Sequence, residues 1–189
     1  MLEIELPINI LIAVIIIITG FIISSFTLLY VKIIENISKQ LVFNNSEVCP
    51  GGEETIKKIF ERTPIQLPAD YYEFLSCISG TGNIGSIEFE IESDDEDIGS
   101  IPICLWSANR ALGMQNEFAH PMKEDFISKV WFIGDDLGDM VYFYGFGNDG
   151  FGVYFVEAGS LGFEYAYKIA DTLTDFLVNG IGIDVITAL

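Results

Sequence analysis

The side chains in this chain that could do chemistry are carboxylates. Phe132-Ile133-Gly134-Asp135-Asp136-Leu137-Gly138-Asp139 sets three aspartates in a segment punctuated by glycine, and Glu92-Ser93-Asp94-Asp95-Glu96-Asp97 is a second acidic run. Asp135, Asp136 and Asp139 do not follow a Ca²⁺ loop, which needs alternating ligands, a central Gly and a distal Glu. Both segments read as solvated acidic surface that can meet Lys or Arg on a partner and speed encounter with it. Asp94, Asp95, Glu96, Asp97, Asp135, Asp136 and Asp139 are therefore the candidate partner-binding residues.

Other chemistry fails on context. Gly80-Thr81-Gly82-Asn83-Ile84-Gly85 and Gly145-Phe146-Gly147-Asn148-Asp149-Gly150 match the dinucleotide-binding glycine pattern. The first follows a predicted helix and precedes a strand, the reverse of the order that puts a pyrophosphate on a helix N-terminus. The second lies between two strands, where Asn148-Asp149-Gly150 reads as a hairpin turn. His120 is the only histidine, and no Cys or Ser in a strand–turn–helix elbow offers it a nucleophile. Glu88 and Glu90 alternate with apolar residues on a strand, so they point to water. No catalytic group, cofactor or metal is expected, and the chain is not expected to be an enzyme.

Charge limits the partners. Of 28 acids and 9 bases, 25 acids and seven bases lie from Glu47 onward, so that part carries most of the formal −19. Direct nucleic-acid binding and anionic lipid surfaces are disfavoured by like charge, whereas a basic protein partner fits. Cys49, Cys77 and Cys104 are isolated and odd in number, which argues against a disulfide framework and for a reducing compartment. Cys77 and Cys104 sit in apolar surroundings and read as small buried hydrophobes.

Ile8 to Val31 contains no charged residue. As a helix it would span roughly 36 Å, enough to cross a hydrocarbon core of about 30 Å. Glu3 and Glu5 precede it in place of the basic region a signal peptide needs. A single-pass transmembrane helix over 8–31 is expected, after a short tail over 1–7. Lys32 and Lys39 follow it, which places the soluble domain on the cytoplasmic side.

The elements that must position the acids follow in order. After a linker over 32–52, Glu53 to Arg62 reads as an amphipathic helix with Ile56, Ile59 and Phe60 on one face. Pro68 opens a second helix carrying Tyr71, Tyr72, Phe74, Leu75 and Ile78. Ser86 to Glu92 alternates as a half-buried strand, and Leu105 to Phe118 is read as a third helix. Strands are predicted at Val130–Ile133, Met140–Tyr144, Val153–Val156 and Phe163–Tyr167. Asp171 is read as the cap of a last helix over Thr172–Val178. The absence of a βαβ rhythm predicts an α+β domain with a mostly antiparallel sheet flanked by helices.

Leu67-Pro68-Ala69-Asp70-Tyr71-Tyr72-Glu73-Phe74-Leu75 with Ser79-Gly80 resembles the LP-x-D-Y-x-x-F-L helix and following turn of the SUKH superfamily, the Smi/Knr-type domain. Phe132 to Asp139 resembles its F-I-G-D-x-x-G-D segment, Gly152-Val153-Tyr154-Phe155-Val156 the strand after it, and Ala170 to Leu177 its closing helix. The resemblance covers 53–178, followed by a tail over 179–189. It implies a SUKH-like fold and a non-catalytic binding module. Many bacterial members look like immunity proteins that neutralise a cognate protein toxin, and fungal relatives are linked to cell-wall regulation. The expectation is a membrane-anchored immunity protein; the alternative is a membrane-localised regulatory or scaffold module recruiting a cell-envelope or signalling protein. On this reading Gly134 and Gly138 allow a tight turn that exposes Asp135, Asp136 and Asp139.

Overall fold

The computed structural model describes residues 36–44, 48–80, 86–92, 99–119 and 121–188. The expected membrane helix over 8–31, the acids Asp94 to Asp97, and His120 lie outside the described residues. Among the described residues no helix is long and apolar enough to cross a membrane.

Seven strands form one antiparallel sheet in chain order: β1 (Leu41–Asn44), β2 (Ser86–Glu92), β3 (Ser100–Trp106), β4 (Val130–Asp135), β5 (Met140–Gly147), β6 (Gly150–Glu157) and β7 (Tyr167–Ala170). Helices α1 (Glu53–Arg62) and α2 (Ala69–Cys77) join β1 to β2, α3 (Ala108–Glu117) and α4 (Glu124–Ile127) join β3 to β4, and α5 (Leu173–Leu177) and α6 (Ile183–Thr187) close the chain. The fold is α+β, as the order of elements predicts.

The central strands are covered on both faces. Register pairs Trp131 with Tyr144 and Phe132 with Phe143. Trp131 and Tyr144 face α2, where the Tyr71 and Tyr144 rings pack edge-on with centroids 5.8 Å apart. Phe132 and Phe143 face the other way, toward Phe118 after α3 and Phe126 of α4. Burial on both faces explains why β4 and β5 are continuous apolar runs, and cross-strand stacks such as Phe143 on Tyr154 hold the middle of the sheet.

Four expectations are corrected. The chain over Leu105–Trp106 is strand, and the third helix begins only at Ala108, capped by Ser107 accepting from the Arg110 N–H. Ile103 to Trp106 are all buried, so β3 lacks the alternation that marks a strand. The expected strand over Phe163–Tyr167 is a 3-10 turn at Phe163–Tyr165 followed by β7. Thr172 rather than Asp171 caps α5, accepting from Asp175 N–H, while Asp171 pairs with Lys168 at 2.6 Å. Phe60 is 70% exposed and lies against Tyr72, so the buried face of α1 is centred on Ile59.

The stretch read as linker and the stretch read as tail both join the fold. The former supplies β1, and the latter α6. Ser38 N–H donates to Leu177 O at 2.8 Å. Gly180 packs on Ser38 and Gln40, and Gly182 on Ile169 of β7, both in the left-handed region (φ +69° and +83°). One short segment thus touches the approach to one edge strand and the body of the other, consistent with a curled sheet.

Candidate functional site

The β4–β5 turn is built from hydrogen bonds of its own aspartates. Asp135 ends β4 opposite Val141, with Cys104 of β3 on its other side. Its Oδ2 accepts from Trp106 Nε1 at 2.8 Å and from Arg110 Nη2 at 2.7 Å, and its Oδ1 accepts from Leu137 N–H at 3.2 Å. The Arg110 guanidinium also lies over the Trp106 ring, 5.2 Å from its centroid. The Asp135 side chain is 15% exposed, which corrects the expectation of a solvated residue. A paired, hydrogen-bonded carboxylate at a sheet end positions structure, because its acceptor sites are already used.

Asp136 is half-buried, and its Oδ1 accepts from Gly138 N–H at 2.8 Å and Met140 N–H at 3.0 Å. Asp139 is the exposed member, tied through its carbonyl to Ala158 N–H at 2.7 Å. The glycines act differently from expectation. A Cβ on Gly134 would sit 2.4 Å from Cys104 O, so Gly134 permits close approach of β3 at the register shift in β4. The left-handed residue of the turn is Leu137, at φ 60° and 63% exposed. A non-glycine residue there costs roughly 1–2 kcal/mol.

Beside this turn lies a groove of about 460 Å³ lined by Asp139, Met140, Glu157, Ser160, Glu164, Tyr165 and Tyr167. Among the described residues that line it are three carboxylates and two exposed tyrosines, and no Lys or Arg. The ends of β2 at Glu92 and of β3 at Ser100, which flank the segment holding Asp94 to Asp97, lie at the same end of the sheet by register. Asp139 is the one candidate residue that the described structure places in the groove. Glu157, Glu164, Tyr165 and Tyr167 were not singled out from sequence. They are dispersed along a turn and two strand ends, and only the β6–β7 connection brings them together. The alternation Tyr165-Ala166-Tyr167 was the one available signal.

A second groove, of about 500 Å³, is lined by Arg62, Pro64, Gln115, Ala119, Glu124, Ile127 and Ser128. Gln115 is committed there to backbone, donating to Val130 O and accepting from Phe132 N–H. Among the described residues no group of three His, Cys, Asp or Glu could hold a metal.

The α2 motif is turned inward. Asp70 Oδ2 accepts from Thr174 N–H at 3.0 Å, Tyr144 OH accepts from Leu173 N–H at 2.7 Å, and Trp131 Nε1 donates to Tyr71 OH at 3.2 Å. Burial pushes the Tyr71 phenol up, and burial with the nearby Asp70 carboxylate pushes Tyr144 well up. Tyr142 is raised by burial and then by Asp136. Asp70, Tyr71, Trp131 and Tyr144 join α2, the sheet and α5, and all three tyrosines and Trp131 are buried.

The fold and this arrangement describe an α+β domain whose two sequence signatures are internal fastenings, with a polar groove at one sheet end. The SMI1 / KNR4 family (SUKH-1) model matches residues 50–179, and the chain belongs to that family. No match to the chain was found among curated proteins.

Proposed function

We propose that this chain is a non-catalytic binding protein, and specifically a membrane-anchored immunity protein that binds and neutralises a cognate protein toxin at the cytoplasmic face. Membership of the SUKH-1 family supports an immunity-like or regulatory role. The observation that carries the binding reading is the groove beside the β4–β5 turn, where Asp139, Glu157 and Glu164 meet exposed Tyr165 and Tyr167. Carboxylates in that setting attract a basic partner and fix its register, while tyrosines supply contact area at low entropic cost. The apolar run over 8–31 would hold the domain where a toxin enters across the membrane.

The test is affinity capture of the tagged full-length chain from native membranes, at low and raised salt, with mass spectrometry of what is retained. A stoichiometric toxin domain, released by salt, is the expected result. Deleting the gene should then be harmless without that toxin and lethal with it. Retention of envelope or signalling proteins, with an envelope defect on deletion, would replace this reading by the regulatory or scaffold one.

A further inference from the structure

The β4–β5 turn places its one large apolar side chain outward at the position where that side chain is least favoured. Leu137 is left-handed at φ 60° and 63% exposed, so no core burial offsets its strain. Gly138, the next residue, could take a left-handed conformation without strain, yet the positive φ falls on Leu137. The turn is fixed by three acceptor bonds, from Leu137, Gly138 and Met140 N–H groups to Asp135 and Asp136. Its base is held by Arg110 and Trp106 on Asp135. Strained residues that persist in an over-determined setting cluster at binding sites and switches.

We infer that Leu137 is the apolar anchor of the partner interface, seated in a shallow apolar pocket of a protein partner whose rim carries Lys or Arg. This rests on the binding-protein reading above. Charge complementarity chooses the occupant. Asp139 of the turn lines the adjoining groove together with Glu157, which pairs with Met140, and Glu164, and a formal −19 opposes both a second copy of the chain and an anionic bilayer. Leucine is not a favoured interface anchor by type; its strained display, two residues from the groove, singles this one out. A rigid, pre-set knob lowers the ordering cost of binding.

The inference predicts opposite signs for stability and binding. Leu137→Gly and Leu137→Asn relieve the left-handed strain and should raise the urea midpoint of the full-length protein in detergent. Both should retain at least ten-fold less of the protein that the wild-type chain retains from native membranes, while Leu137→Met keeps it. A diazirine amino acid at position 137 should cross-link that protein at an apolar site flanked by Lys or Arg. Wild-type retention by Leu137→Gly, or a cross-link at an acidic site, overturns the inference and leaves the binding reading standing. If the wild-type chain retains nothing, both fall. Sedimentation as a dimer, or binding to phosphatidylcholine–phosphatidylglycerol vesicles, lost in Leu137→Gly, would overturn it in favour of a second copy or the bilayer.

Discussion

Asp70, in the first turn of α2, accepts the backbone N–H of Thr174 at the start of α5, 104 residues further along the chain, at 3.0 Å. Its second oxygen lies 3.5 Å from Tyr144 OH, which itself accepts from Leu173 N–H. One carboxylate therefore fastens two helices to each other and to β5. Asp70→Ala should cost about 1–3 kcal/mol, because it strands the Thr174 N–H as well as removing a charge-assisted bond. Asp70→Asn keeps an acceptor oxygen and should cost less. Urea unfolding of both variants reads the difference, and equal stability of Asp70→Ala and wild type would remove the fastening role.

Three tyrosines set a limit on alkaline stability. Tyr71, Tyr142 and Tyr144 have pKa values raised above the ordinary 10.0, each first by burial. The unfolded chain releases these protons near pH 10 while the folded one keeps them. Their contribution is therefore complete below pH 10 and is lost as pH rises beyond it. Each should lower stability by roughly 1.4 kcal/mol per pH unit in that range. Tyr144→Phe should start less stable at pH 8, having lost its bond to Leu173, and show a shallower decline above pH 10. An unchanged slope would show that Tyr144 ionises normally.

How much of this was legible in sequence depends on what each residue faces. Ser86 to Glu92 was readable because Ile87, Phe89 and Ile91 are buried while Glu88 and Glu90 are half-exposed; a one-sided strand writes its period into the chain. β3 was not, since Ile103 to Trp106 are buried on both faces and lead directly into α3. β1 and α6 escaped because each is short and stabilised by distant partners, Phe89 for β1 and Ile169 for the segment before α6. The acidic turn was found, but its division of labour was not. Asp135 becomes internal only because Arg110 and Trp106 arrive from other elements. The groove's Glu157 and Glu164 have no local pattern at all.

Gly134 carries a packing constraint rather than a turn. Its Cβ position is 2.4 Å from Cys104 O, a backbone atom that cannot rotate away. Gly134→Ala must push β3 from β4 at the pairs Leu105–Gly134 and Cys104–Asp135. Overpacking of this kind costs about 1–3 kcal/mol. The shift should also loosen Asp135 from Arg110. A lowered urea midpoint, with faster hydrogen exchange at Leu137 and Gly138, is the expected result; wild-type exchange at both would show that the turn is independent of the β3 contact.

The carboxylates of the groove should govern the rate of partner encounter more than its final tightness. Exposed charges act at a distance, and that action is set by ionic strength: the Debye length is about 30 Å at 0.01 M and about 3 Å at 1 M salt. Asp139→Lys with Glu157→Lys and Glu164→Lys reverses the sign of the groove's three carboxylates. Asp94→Lys through Asp97→Lys, with Glu96→Lys, does the same for the second acidic run. Glu53→Lys with Glu54→Lys and Glu61→Lys, at exposed positions of α1, changes net charge equally to the groove variant. With the captured partner immobilised, the groove variant should associate at least ten-fold more slowly than the α1 variant in dilute buffer, and the gap should close in 1 M salt. Equal slowing by both would make the effect one of net charge, and the groove would then lose its place as the point of contact.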